Sequence, residues 1–285
     1  MPDVRLLAVD IDGTLLDSGG RLPDAHRDAL AEASAQGIAL ALVTGRSFHF
    51  ARPVAKRLGL ASTLIVNNGA AVKAATGQTL TRHVLPRDLA RRVLDEARDY
   101  QDSVAVVFDR EPGADETRQI VFEHMNWSDP NRWGYYQKNS AYICRTSPLE
   151  SALVEEPIQV MFNGSVSRMR ALMARLRQLP EADRMSVAAT EYEHRDFSLV
   201  DVNRGGCSKG STLAQWAATC GCEPSQVMAV GDNLNDLEML RFAGVEVVMG
   251  NAAQSLKGHG FHETSSNNEG GLAIAIRKLA LRSAR

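Results

Sequence analysis

The sequence predicts an α/β protein in which a doubly wound parallel sheet is interrupted by a second, α+β domain. Three observations carry that expectation. The first stretch of chain alternates apolar runs with helical ones, and βαβαβ order calls for a parallel sheet covered by helices. The same texture returns near Phe197 and continues to the end. Between the two lies a segment whose strands are paired off by longer helices, the pattern of a separate domain with a mostly antiparallel sheet.

Val4-Arg5-Leu6-Leu7-Ala8-Val9 reads as a buried strand entering a parallel sheet. Pro23-Asp24 opens a helix that Gly37 closes, and residues 38–43 form a second continuous apolar strand. Ser47 caps a further helix ending near Gly59, and Leu64-Ile65-Val66 leads into Asn67-Asn68-Gly69, a turn signal. The inserted domain is expected over residues 84–195. It opens with a helix over 86–100 that places Leu89, Val93, Leu94 and Ala97 on one face. Strands follow at 104–108, 118–122, 158–162 and 185–189, with a long helix over 165–179. The core, expected as 1–83 together with 196–285, resumes with a strand over 197–202 and a helix over 208–219. A strand at 227–230, a helix at 233–242, a strand at 245–249 and an amphipathic helix at 271–281 complete it. This is a Rossmann-like arrangement with an insertion.

A chain of 285 residues is comfortable for two domains. Its net charge of −2 argues against a nucleic-acid partner, which selects for a strongly basic face. No signal peptide is evident, and no apolar run approaches the ~20 residues that span a bilayer, so no membrane partner is expected. Cys144, Cys207, Cys220 and Cys222 give no secreted disulfide framework, and Cys220-Gly221-Cys222 lacks a second pair at zinc spacing. A reduced, cytoplasmic protein is expected, as a monomer or homodimer.

The chemistry concentrates in four places. Asp10-Ile11-Asp12-Gly13-Thr14-Leu15 sets two carboxylates at the C-terminal end of the first strand, where open α/β sheets form their ligand crevice. Gly13 lets the chain turn there. Two buried acids so close are costly unless a cation or donors compensate, so the hexapeptide reads as a nucleophilic Asp beside an acid/base Asp with a divalent metal. Thr44-Gly45-Arg46 ends the second strand with a hydroxyl and backbone N–H groups suited to phosphate oxygens. Lys209, in the first turn of a helix, either reaches an anion held there or stays solvated. Gly231-Asp232-Asn233-Leu234-Asn235-Asp236 crowds oxygen ligands after another strand, a set that suits Mg2+.

In this order the four segments resemble the four motifs of haloacid dehalogenase (HAD) superfamily phosphatases. Asn67-Asn68-Gly69-Ala70 and Met249-Gly250-Asn251-Ala252 resemble a turn and a late loop of the Cof-type (IIB) branch, which carries a large α/β cap. The resemblance spans essentially the whole chain, although inside the cap it is only architectural. Spacing agrees: 30 positions separate Thr14 from Thr44, but 165 separate Thr44 from Lys209, so the cap must lie between the second and third motifs. Two stretches depart from the pattern, 202–207 before the lysine and Lys257-Gly258-His259-Gly260-Phe261.

The resemblance implies a Mg2+-dependent phosphatase that hydrolyses a small phosphorylated metabolite, such as a sugar phosphate, through an aspartyl-phosphate. It implies that Asp10 is the nucleophile and Asp12 the acid/base. Thr44, Gly45, Lys209 and Asn235 would hold the phosphoryl oxygens, and Asp10, the Asp12 carbonyl, Asp232 and Asp236 would serve the metal. Substrate selection falls to the cap, with Glu191, His194 and Arg195 as candidates and hinge closure available at its connections near His83 and Phe197. The aromatic residues Phe122, Trp127, Trp133, Tyr135, Tyr136 and Tyr142 form either a second small core or a substrate-facing patch. His259 and His262 read as surface residues. Two other functions remain open: a sugar phosphomutase or phosphotransferase on the same scaffold, and a non-catalytic sensor of a phosphorylated ligand.

Overall fold

The structure is a computed structural model that describes residues 3–110, 119–126, 128 and 130–281. The chain forms two compact units, one of Met1–Gln78 with Ser208–Arg285 and one of Thr79–Cys207. In the first, β1 (Leu6–Val9), α1 (Asp24–Ala35), β2 (Ala39–Val43), α2 (Phe48–Leu58), β3 (Thr63–Val66) and β4 (Ala71–Ala74) follow one another. The second holds β5 (Thr79–Arg82), α3 (Arg87–Glu96), β6 (Val104–Val107), β7 (Ile120–Phe122), α4 (Pro130–Asn139), β8 (Ile143–Arg145), β9 (Gln159–Gly164), α5 (Val166–Leu176), β10 (Met185–Tyr192) and β11 (Phe197–Arg204). The chain then returns as α6 (Lys209–Thr219), β12 (Val227–Gly231), α7 (Leu237–Phe242), β13 (Val245–Val248), α8 (Gln254–Lys257), β14 (His262–Glu263) and α9 (Gly271–Leu279).

Within the first unit the strands stand in the order β14-β13-β12-β1-β2-β3-β4, parallel except for β4 against β3. Their continuous apolar runs are explained by burial on both faces. Leu7, Val9, Leu42, Val230 and Val247 pack with residues of α1, α2 and α9, including Leu30, Val54 and Ile276. Their alternates Leu6, Ala8, Val43, Ala229 and Val248 pack with Leu213 of α6 and Met239 of α7. Each fully buried Leu or Val contributes about 1.5–3 kcal/mol relative to exposure. The chain winds outward from β1 through β2 and β3, then returns to the other flank of β1 as β12. That reversal is a topological switch point, and the ligand crevice of such sheets opens there, at the carboxyl ends of the strands. Asp10 follows β1 and Asp232 follows β12, its hydrogen-bonded neighbour.

The second unit is built on a six-stranded sheet of order β10-β11-β9-β6-β7-β8, antiparallel except where β8 runs parallel to β7. Leu89 and Val93 of α3 and Met169 and Leu172 of α5 cover Val106, Val160, Phe162, Val200 and Val202 on one face. Here the structure corrects the expected boundaries. The strand at 197–202, read as the return to the core at 196, is β11. It pairs along its whole length with β10 and also with β9, and buries Val200 and Val202 in this second core. The second unit therefore runs from Thr79 to Cys207 rather than from 84 to 195. An apolar alternation shows that a strand is half buried but not which sheet it joins. The strands β4, β5, β8 and β14 and the helices α4 and α8 have no counterpart among the expected elements; the expected strand at 118–122 is described from Ile120. Among the described residues no helix is long and apolar enough to cross a membrane.

His26 of α1 is fully buried, and its Nδ1 lies 2.9 Å from the Leu15 carbonyl, tying α1 to the turn after β1. Burial holds this imidazole below its ordinary range, partly opposed by the Leu15 carbonyl and then by Asp17. Its folded pKa is thus depressed while the unfolded chain takes its proton near pH 6.5, so the unfolded state binds more protons between the two values. Stability through His26 is present above about pH 6.5 and falls as the pH drops through the window below it. Denaturant titrations from pH 7.5 to 5 are expected to show this loss, and His26→Gln should flatten that part of the profile.

Candidate active site

Asp10 is 4% exposed at the end of β1, and its N–H donates to the Val230 carbonyl (3.1 Å), which joins the ends of β1 and β12. The next residues wind into one tight turn, in which Leu15 N–H donates back to the Asp10 carbonyl (3.1 Å). Gly13 adopts φ 80°, and a Cβ there would run into the Asp232 carboxylate, so this position needs glycine twice over. The turn brings the Thr14 hydroxyl within 2.9 Å of Asp232 Oδ1, to which it donates.

Lys209 is 2% exposed, so it is not solvated. Ser208 caps α6 by accepting from Ser211 N–H, and the first helical turn carries the lysine inward. Its Nζ donates to Asp10 Oδ1 and Asp236 Oδ1, both at 2.6 Å. The other oxygen of Asp236 accepts the N–H groups of Asp232 and Asn233 at 3.0 Å, folding the loop after β12 around its own carboxylate. Asp10, Asp232 and Asp236 each offer an oxygen, all within 4.8 Å of one another.

One ammonium facing three carboxylates leaves the cluster negative. Burial pushes Asp10 up to about 7, opposed by Lys209 and reinforced by Asp236 and Asp12. Burial, then Asp10 and Asp236, also drive Asp232 well above the usual carboxylate range. Burial alone would lower the Lys209 ammonium, but the attraction of Asp10 and Asp236 outweighs it and holds the group above its ordinary value. A converging set of hard oxygen donors, more than one ammonium can keep ionised together, fits a divalent cation.

Asp12 differs from Asp10. Its side chain is 40% exposed and is gripped by Arg46, whose Nε and Nη2 donate to Oδ2 and Oδ1, each at 2.6 Å. Arg46 stands at the end of the loop after β2, with its own N–H on the Thr44 hydroxyl (3.1 Å). Thr44 is buried, and Gly45 lies against the side chain of Asn68. Asn235 Nδ2 donates to Asn68 Oδ1 at 3.0 Å. All the core residues singled out in the sequence therefore belong to the first unit, at the ends of β1, β2 and β12 and the start of α6.

Four participants were given no role by sequence reasoning: Thr14, Arg46, Asn68 and Asn251. Asn251 donates from Nδ2 to the Gly13 carbonyl (2.8 Å) and accepts Asn267 N–H (2.8 Å), bracing the turn from the late loop. The motif patterns contain each of these residues, but the partner of each lies far along the chain.

The second-unit candidates are arranged differently. Glu191, near the end of β10, accepts two hydrogen bonds from Arg170 of α5 (2.9 and 2.6 Å), and Glu193 a third (3.1 Å). Arg195 lies over the Tyr192 ring at 5.0 Å. The His194 side chain lies outside the described residues, as do Trp127 and the side chain of Tyr135. Trp133 is 45% exposed and stacks on Tyr136 at 5.6 Å, so it is not part of a second core, whereas Phe122 is buried.

The profile of haloacid dehalogenase-like hydrolases matches residues 7–276. The chain is 28% identical over 280 residues to the 5-amino-6-(5-phospho-D-ribitylamino)uracil phosphatase YcsE of Bacillus subtilis (strain 168), covering 98% of this chain and 97% of the relative. It is 32% identical over 253 residues to the HMP-PP phosphatase of Serratia proteamaculans (strain 568), covering 89% and 86%. Among solved structures, the HAD subclass IIB sugar phosphatase BT4131 superposes with a TM-score of 0.78 at 21% identity, over 96% of this chain and 98% of that one, a likeness of fold.

Proposed function

We propose, from the premise that this chain belongs to the haloacid dehalogenase-like hydrolase family, that it is a Mg2+-dependent phosphatase. Its substrate is a small phosphorylated metabolite, hydrolysed through an aspartyl-phosphate at Asp10. The observation that carries this reading is the buried Asp10 carboxylate, pinned by Lys209 beside Asp232 and Asp236, with a second, accessible carboxylate two residues on at Asp12. A binding protein has no need of a nucleophile and an acid together. The substrates named for the two relatives, a phosphoribitylaminouracil and HMP-PP, support a small-molecule ester over a phosphoprotein.

Phosphoryl transfer needs in-line attack and donors for the charge on the equatorial oxygens. Lys209 holds Asp10 by Oδ1, which leaves Oδ2 as the attacking oxygen. A bond forms from that oxygen to phosphorus as the bond to the ester oxygen breaks, and Asp12 gives the departing oxygen its proton. Asp12 then takes a proton from water, which attacks the acyl-phosphate, releases phosphate and restores Asp10. Thr44, the Gly45 N–H, Lys209 and Asn235 hold the phosphoryl oxygens. Asp10, Asp232, Asp236 and the Asp12 carbonyl would serve a Mg2+, which would neutralise the carboxylate–phosphate repulsion. Arg46 orients Asp12.

The test is phosphate release from a panel of phosphorylated metabolites and p-nitrophenyl phosphate. Activity is expected to vanish with excess chelator and to return with Mg2+; turnover that resists the chelator would contradict the role given to the carboxylate cluster. Adding a sugar acceptor separates hydrolysis from phosphoryl transfer to a second hydroxyl.

We assign substrate selection to the second unit, with Glu191, His194 and Arg195 as its first candidates. His194→Ala and Arg195→Ala should depress turnover of the best metabolite far more than turnover of p-nitrophenyl phosphate. Equal losses on both, or none on either, would move the assignment to the Trp133–Tyr136 stack.

A further inference from the structure

The turn at Asn67-Asn68-Gly69 has no part in the chemistry above, yet three phosphate-binding segments meet on it. All three residues have positive φ, at 51°, 54° and 99°. Left-handed backbone is tolerated by glycine and, less readily, by asparagine, and two successive non-glycine residues hold it only where their surroundings over-determine it. Those surroundings are specific. Asn67 N–H donates to the Arg46 carbonyl (2.9 Å) and Asn68 N–H to the Thr44 carbonyl (3.1 Å), so the turn grips both ends of the Thr44–Arg46 loop. The Gly69 carbonyl accepts the Thr212 hydroxyl of α6 (2.9 Å), and a Cβ at Gly69 would strike the Ser208 carbonyl. The turn is thereby locked to the helix start that carries Lys209. The Asn68 side chain supplies the third tie. It is buried, accepts from Asn235 Nδ2 at 3.0 Å, and fills the space where a side chain at Gly45 would stand, 3.2 Å from both its amide atoms.

We propose that Asn68 is a positioning residue for the phosphoryl group, acting through Asn235: its amide fixes Asn235 beside the Gly45 backbone, so that both direct their donors at the same oxygens. An amide nitrogen carries two hydrogens, and tying one of them to Asn68 sets the direction of the other. This role rests on the phosphatase reading.

The experiment compares wild type, N68G, N68D, N235A and N68G/N235A for binding of inorganic phosphate in the presence of Mg2+, turnover of p-nitrophenyl phosphate, and melting temperature. N68G keeps the left-handed backbone and deletes the amide. Its Kd for phosphate and its KM should rise roughly 10-fold or more, the scale of one lost hydrogen bond serving a charged ligand, while the melting temperature and the Mg2+ activation midpoint hold. N68D keeps the acceptor for Asn235 but sets a negative charge against Gly45, so its phosphate affinity should fall further than that of N68G. On the N235A background, N68G should add little. A merely structural role would lower the melting temperature and Mg2+ affinity together with phosphate affinity. N68G binding phosphate as well as wild type, or losses that add fully with N235A, would overturn the assignment. A wild-type chain that neither binds phosphate nor hydrolyses the ester overturns the phosphatase reading, and this role with it.

Discussion

Asp10→Asn is expected to abolish hydrolysis and leave the fold intact. The amide has nearly the shape of the carboxylate, but it cannot form the acyl-phosphate, and losing a covalent nucleophile costs on the order of 10⁶-fold in kcat. The fold should survive because the native carboxylate is a burden to the metal-free protein. Burial raises Asp10 to about 7, so its ionised form is disfavoured at the end of β1. By linkage, an acid whose folded pKa is raised binds more protons folded than unfolded between about pH 4 and 7, so its ionisation destabilises the folded chain as pH rises. A neutral amide removes that penalty, and Lys209 keeps its second partner, Asp236. The melting temperature of the metal-free variant at pH 8 should therefore equal or exceed that of wild type. Turnover by the purified variant above about 10⁻³ of wild type would remove Asp10 from the role of nucleophile.

Asp12→Asn is the second large effect, of a different kind. General acid–base assistance contributes about 10²–10⁴-fold, and its need depends on the leaving group. An alkyl phosphate expels a strongly basic oxygen that must be protonated, whereas p-nitrophenolate departs without help. The variant should lose most of its rate on alkyl esters. On p-nitrophenyl phosphate it should release nitrophenol in one rapid turnover and then stall, since the same carboxylate is needed to activate water. Arg46→Lys should follow this pattern on a smaller scale, because a single ammonium cannot reproduce the two-pronged grip at 2.6 Å on each Asp12 oxygen. Equal losses on both esters in the first turnover, with no rapid release of nitrophenol, would mean that Asp12 serves the architecture of the turn and not proton transfer.

The carboxylates of the site were legible because each follows a strand. Continuous apolar runs such as Leu6–Val9 and Val227–Gly231 announce buried parallel strands, and parallel sheets gather ligands at their carboxyl ends. What the chain does not display is who meets whom. Arg46 and Asp12 are 34 residues apart and Asn68 and Asn235 are 167 apart, and no periodicity reports a contact between side chains on different loops. Lys209 shows the same limit, since a lysine in a first helical turn has the same sequence signature whether it is solvated or locked between two acids. The strand β11 was visible as a strand, but its place in the second sheet is set by pairing with β10 and β9.

The most direct measurement is of the covalent bond itself. Asp12→Asn mixed with excess p-nitrophenyl phosphate and Mg2+, quenched in acid within its first turnover and digested, should yield a phosphorylated peptide in mass spectrometry. The phosphoryl group is expected on the carboxylate of Asp10, in an amount matching the nitrophenol released. Nitrophenol release with no phosphorylated peptide, or a phosphoryl group on any other residue, would contradict it.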